Sequence, residues 1–229
     1  MSSALDDASK GITFFQWMIL GTLTLTSTLY AMSMTIANIA LPQLQGALGA
    51  TQDQIAWTVT FNIIGTAIVT PMTGWLTLRF GQRRLMLCAI FGFATSSILC
   101  GQATALPELV IYRVFQGAFG GPLVPLSQAI ILGVFPRQLH SFATAVWGMG
   151  VVCGPIIGPT VGGYISEAYS WRWIFYIIAP FSLLAFLGAW LYVRNTTHNK
   201  LSKLDWTGFI SLSIAVTALQ LMLDRGNRL

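Results

Sequence analysis

Charge is what this sequence has least of. Only 8% of its 229 residues are Asp, Glu, Lys or Arg, against roughly a quarter in a soluble domain, which needs a hydrated surface. So little charge excludes a globule surrounded by water. Histidine is scarcer still: His140 and His198 both fall in loops. Among the seven acids there is no paired intramembrane carboxylate, and there is no His/Cys/Asp/Glu ligand cluster. No G-x-S-x-G elbow occurs either. The chain therefore reads as a non-enzyme, with neither a cofactor nor a metal. Its three cysteines, Cys88, Cys100 and Cys153, lie in apolar runs without a C-x-x-C pair, and are expected to pack as small apolar residues.

Apolar length is abundant. Hydrophobic residues make up 55% of the chain and the mean hydropathy is +0.69. Seven runs stand out: Phe14–Ile39, Ile55–Leu78, Leu85–Ala103, Leu109–Phe135, Phe142–Ile165, Trp173–Val193 and Trp206–Leu223. Each is near the ~20 residues that cross a ~30 Å hydrocarbon core as a helix. Alternating strand patterns are absent, and helices are the remaining way to satisfy backbone groups in lipid. The predicted fold class is an all-α membrane protein with seven transmembrane helices. The first run is too long for a secretory signal and lacks a small-residue cleavage site, so it reads as a retained span. The expected organisation is a cytoplasmic tail over 1–13, a six-helix bundle over 14–193 and a linker over 194–205. The seventh helix and the start of an outer loop follow over 206–229.

The basic residues are unevenly shared. If loops alternate, Lys10, Arg79, Arg83, Arg84, Arg137, Arg194, Lys200 and Lys203 fall on one side. Arg172, Arg225 and Arg228 fall on the other. The positive-inside bias predicts a cytoplasmic N-terminus. It also accounts, with lipid headgroups, for the pI near 9.4, which gives no support for nucleic-acid binding.

An internal echo joins two turns. "GWLTLRFGQRRLM" from Gly74 aligns without gaps on the stretch from Gly163 to Phe175, matching Gly74 with Gly163 and Arg83 with Arg172. Three spans separate the copies, so they lie on opposite membrane faces. That pattern predicts an inverted three-plus-three repeat in the first six helices, a common plan in secondary transporters.

Span five carries Gly150, Gly154, Gly158 and Gly162 every four residues, with Pro155 and Pro159 beside them and Gly163 after. Glycines at that spacing make a groove that another helix can approach, and interior prolines bend a helix. The residues alone allow a plain packing seam or a moving interface. In the span two–three turn, Gly74 and Gly81 bracket Arg79, with Arg83 and Arg84 following. These arginines suit either a headgroup anchor or a charge latch that opens and closes.

Arg113 is the one ionisable residue placed within a span, roughly 8–10 Å from the outer end of span four. Helical spacing puts Gln116, Gly117, Gly120, Val124 and Ser127 on its face, with Ile111, Phe115, Phe119 and Ile130 directed elsewhere. A cation at that depth costs several kcal/mol unless water or polar partners meet it. Two placements are open: snorkelling to the headgroups, or a water-filled central cavity with a bond to Asn38 of span one.

Taken together, these residues resemble a known family. "GWLTLRFGQRRL", "RVFQG" at Arg113–Gly117 and "GPIIGPTVGG" at Gly154–Gly163 resemble motifs of the major facilitator superfamily. "TIANIALP", "PMTGWL", "WRWIF" and "LMLDRG" are similar to its fourteen-helix drug:proton antiporters of the EmrB/QacA type. The resemblance implies export of small amphipathic compounds across a bacterial inner membrane, driven by proton entry through alternating access. It implies that Arg113 is the helix-four arginine linked to proton coupling, which, joined to the reading of the residues around it, places the expected proton or substrate pathway at Arg113, Gln116, Asn38 and Ser33. The hinge would use Gly150, Gly154, Pro155, Gly158, Pro159, Gly162 and Gly163, and the cytoplasmic gate Gly74, Arg79, Gly81 and Arg83. A membrane-fusion adaptor and an outer-membrane channel are the implied partners.

Three departures from the family pattern stand out. Ser33 occupies the helix-one position where such exporters often carry an aspartate, and Leu78 replaces the acid of the loop motif. Seven spans rather than fourteen make the chain, by this resemblance, one half of a longer protein or a truncated product. The alternative reading is a non-transporting homologue serving as a membrane scaffold or assembly partner. A carrier without proton coupling lies between the two.

Overall fold

The computed structural model describes residues 12–195 and 205–226, with the side chains of 223–226 excepted. The expectations for Lys10, His198, Lys200, Lys203, Arg225 and Arg228 lie outside what is described, as do those for most of the tail and the linker. Among the described residues, six helices are long and apolar enough to cross a membrane. They are Phe14–Ile39, Gln52–Phe80, Gln82–Gln102, Leu106–Val134, Arg137–Ala168 and Trp173–Tyr192, here spans one to six. A further helix, Trp206–Gly226, lies beside span two as the seventh. Asp205 precedes it: its Oδ1 accepts from the Gly208 N–H at 3.0 Å and the Thr207 hydroxyl at 2.7 Å. These bonds hold its carboxyl below the usual carboxylate range.

Local chemistry sets the helix starts. At Thr13 and again at Thr51, the hydroxyl accepts from the N–H three residues on. Gln16 and Gln54 return the bond, each side-chain oxygen accepting from the N-cap N–H at 2.9 and 3.0 Å. These are capping boxes. Span four opens on Pro107, with the Glu108 carboxylate accepting from the Thr104 N–H at 2.9 Å. Between spans one and two lies a short helix, Leu41–Leu48, that hydropathy did not predict. Pro42 sits in its first turn and Gly49 ends it at φ 61.

Spans two and three reverse through Gly81 alone, at φ 86 and ψ 153. A side chain there meets the steric penalty of positive φ. Gly81→Val is expected to lower the thermal midpoint of the detergent-solubilised chain by several degrees. Gly74→Ala, where a Cβ meets nothing within 4 Å, is expected to leave it unchanged. Equal midpoints would show that the turn does not need its glycine.

Packing follows the internal echo. Span two packs on four, four on three, three on six, six on one, and one on five, while one and four meet between them. Exchanging the first three spans for the last three maps this set onto itself: two–four exchanges with one–five, and three–four with one–six, while three–six and one–four map onto themselves. Two arginines repeat the relation in detail. The Arg83 guanidinium at the start of span three donates to the Trp190 carbonyl near the end of span six. Arg172, at the start of span six, donates to the Ala103 carbonyl at the end of span three, at 3.1 Å. Each arginine satisfies a carbonyl that a helix end leaves without an internal donor.

The structure corrects one expectation about packing. Cys100 is buried, but Cys88 and Cys153 are exposed on the bundle surface rather than packed within it. Ile130, placed on another face of span four than Arg113, is buried in the core. Span four passes through a turn at Gly121–Pro122, both residues in the right-handed helical region, and continues from Leu123.

Candidate functional site

Arg113 is 1% exposed and among the largest fully buried side chains of the bundle. It neither snorkels nor borders an open vestibule. Its Nε donates to the Thr58 carbonyl of span two at 3.2 Å, and Nη1 donates to Gln116 Oε1 at 2.5 Å. Gln116 Nε2 donates in turn to Ser97 Oγ of span three at 2.6 Å. The guanidinium carbon lies 5.9 Å from the Phe175 ring centroid of span six. Four spans thus converge on one cation.

Asn38, the expected partner, is exposed near the end of span one and takes no part. The amide that matters is Asn62, whose Nδ2 donates to the Arg113 carbonyl at 2.8 Å. It begins a ladder between spans two and four. Thr66 Oγ1 and Thr70 Oγ1 lie 3.2 and 3.4 Å from the Gly117 and Gly121 carbonyls, each hydroxyl sharing its proton with the carbonyl four residues back in its own helix, at 3.1 and 2.7 Å. Donors four residues apart reach carbonyls four residues apart because Gly65 and Gly117 let the two backbones close up. A Cβ on Gly65 would come 2.5 Å from the Val114 carbonyl, and one on Gly117 would collide with the Asn62 carbonyl. Tyr30 of span one joins the far side, its hydroxyl donating to Thr66 Oγ1 at 3.0 Å.

Arg113 is the only charged side chain buried among the described residues. Guanidinium stays protonated in proteins, and a buried charge is costly unless paired and hydrogen-bonded. Arg113 Nη2 and Asn62 Oδ1 are both buried without a hydrogen-bond partner. The cluster is therefore a polar knot with acceptor and donor capacity left over, sensitive to any sliding between spans two and four. Ser33 is buried too, but its hydroxyl donates at 2.8 Å to the Tyr30 carbonyl of its own helix.

Span five meets span one along its glycines. A Cβ on Gly154 would lie 2.6 Å from the Thr28 carbonyl, and one on Gly158 2.6 Å from Thr35 Oγ1. Gly150 and Gly162 are as tightly covered, by Thr24 and Ile36, and Thr28 Oγ1 donates to the Gly150 carbonyl at 2.8 Å. Gly163 stands apart from this seam, its nearest neighbour being Ile39 Cγ2 at 3.8 Å. Pro155 is exposed and Pro159 half-buried within one continuous helix. In the span two–three turn, Arg79 stacks over Trp75, 5.9 Å from the ring centroid.

Residues 23–225 of the chain match the family model described as Major Facilitator Superfamily. The chain belongs to this superfamily. It is 42% identical over 205 residues to the multidrug export protein EmrB of Haemophilus influenzae, across 89% of this chain and 40% of that protein. Over 199 residues it is 38% identical to the fatty acid resistance protein FarB of Neisseria gonorrhoeae, covering 85% of this chain and 39% of that one. The chain thus spans about two-fifths of the length of the relatives it matches, and corresponds to the N-terminal half of superfamily drug exporters. Its fold is that of the xylose transporter XylE from E. coli in a partially occluded inward-open conformation. That match has a TM-score of 0.72 at 19% identity, over 80% of this chain and 49% of the neighbour.

Asn62, Thr58 and Ser97 escaped the sequence reading. A signal was present: Asn62, Thr66 and Thr70 recur every four residues in an otherwise apolar span, which marks one helix face as polar.

Proposed function

We propose that this chain is the N-terminal half of a proton-coupled multidrug exporter that works by alternating access. The observation that carries the reading is the Arg113 knot, a buried cation with unfilled hydrogen-bonding capacity, in a bundle related at about 40% identity to named drug exporters. Polar groups in a membrane interior are costly, and they persist where they serve a pathway. Arg113 and Gln116 hold the coupling site, with Ser33 on the neighbouring helix. The span one–five glycine seam, with Pro155 and Pro159, is the surface that shifts between states. Gly74, Arg79, Gly81 and Arg83 form the gate, with Gly163 bordering the moving helix. The arginines at the span two–three turn, Arg137 and Arg194 favour a cytoplasmic N-terminus in a bacterial inner membrane. Small amphipathic compounds are the substrates, and a membrane-fusion adaptor with an outer-membrane channel receives them.

The test is dye efflux from cells carrying the complete transporter, before and after collapse of the proton gradient. Efflux that survives collapse would remove the proton from the reading. Ser33→Asp gives a second measurement. An acid added at this buried position of span one is expected to shift the pH at which efflux is half-maximal, and an unchanged pH profile would remove Ser33 from the coupling path.

One observation favours another reading. No carboxylate is buried among the described residues, and proton exchange needs a group that titrates near working pH. A non-transporting scaffold would have that property. It predicts that the chain binds a membrane partner yet leaves drug tolerance unaltered when deleted.

A further inference from the structure

A cleft of about 390 Å³ opens between spans two and three, floored by span four. Val69, Leu76 and Phe80 line one wall, Cys88 the other, and Ala118 the floor. The one charged residue in its lining is Arg84, which is exposed at the start of span three. From Val69 to Phe80 the wall rises about 16 Å at ~1.5 Å per residue, close to half of a ~30 Å hydrocarbon core. The cleft is thus one leaflet deep, apolar along its length, and basic at the end nearest the membrane surface. Arg83, next in sequence, is committed to the Trp190 carbonyl on the opposite side.

From this we infer that the cleft is a binding site for an anionic phospholipid of the leaflet on the arginine-rich side. One acyl chain lies along Leu76, Cys88 and Ala118, and the phosphate meets Arg84. A neutral detergent-like chain would fill the apolar part but gain nothing from the guanidinium. A phosphate diester that keeps a net negative charge gains a charge-assisted contact at the surface. The site is separate from the Arg113 knot, so it holds whether or not the exporter reading does.

Native mass spectrometry of the purified chain, mixed with micelles containing phosphatidylglycerol or phosphatidylcholine, reads the site directly. Wild type is expected to retain phosphatidylglycerol preferentially, and Arg84→Gln to weaken that retention about fivefold without affecting phosphatidylcholine. Cys88 is exposed, so Cys88→Trp can block the cleft without entering the core, and it is expected to reduce retention of both lipids. Equal retention of the two lipids by wild type, or undiminished phosphatidylglycerol on Arg84→Gln, would overturn the assignment. So would Cys88→Trp breaking up a dimer of the chain with lipid retention intact, which would mean that a second copy fills the cleft.

Discussion

Arg113→Ala in the complete transporter is expected to reduce dye efflux to the level of cells carrying no transporter, with membrane abundance close to wild type. Two effects oppose each other in folding. Truncation strips the donor from Gln116 Oε1, at roughly 1–3 kcal/mol for a buried group left unsatisfied, while the Thr58 carbonyl loses only its second donor and keeps its helical one. It also removes a buried cation that no buried carboxylate among the described residues balances, and that desolvation cost is of similar size or larger. Stability therefore changes little while the coupling group is lost. Arg113→Lys separates charge from shape. One ammonium keeps the cation but lacks the planar fork that reaches Thr58 and Gln116 together, so partial efflux is expected. Full resistance in Arg113→Ala cells, scored by growth in the presence of drug, would remove the knot from the transport mechanism.

The other large effect is expected at the helix seams. Gly117→Val forces side-chain atoms into the Asn62 carbonyl, and Gly154→Val forces them to within 2.6 Å of the Thr28 carbonyl or nearer. Backbone cannot rotate away as a side chain can. Overpacking of this kind costs about 1–3 kcal/mol and sometimes more, and at Gly117 it also pulls apart the Asn62–Thr66–Thr70 ladder. Both variants are expected to lose most of the monodisperse chain in gel filtration after detergent extraction. Gly163→Ala, with its nearest contact at 3.8 Å, is the control and should run as wild type. Normal yield of Gly117→Val would show that spans two and four are not held as closely as described.

Hydropathy and charge shortage made the spans legible, since a bilayer imposes a length and a composition that few other solvents do. The inverted repeat was legible from one pair of turns, Gly74–Met86 and Gly163–Phe175, because glycine and arginine there answer to geometry at helix ends. Arg113 stood out as a lone cation, and Gln116 followed from helical phase. What phase cannot give is the neighbour across an interface. Asn38 and Asn62 are both amides within reach of a span-four arginine on paper. Only the packing of span two on span four, set by Gly65 and Gly117, selects Asn62. Likewise the Leu41–Leu48 helix was hidden because a short amphipathic segment carries no membrane-length signal, although Pro42 and Gly49 marked its ends.

The reciprocal arginines, Arg83 reaching the end of span six and Arg172 the end of span three, bear on how the protein enters the bilayer at all. A six-helix unit whose contacts map onto themselves when it is turned upside down offers the insertion machinery no energetic preference from packing. Direction must be decided by the loops, where Arg79, Arg83, Arg84, Arg137 and Arg194 outweigh Arg172. The bundle is thus architecturally ambidextrous, and a handful of surface cations breaks the tie between its two possible topologies.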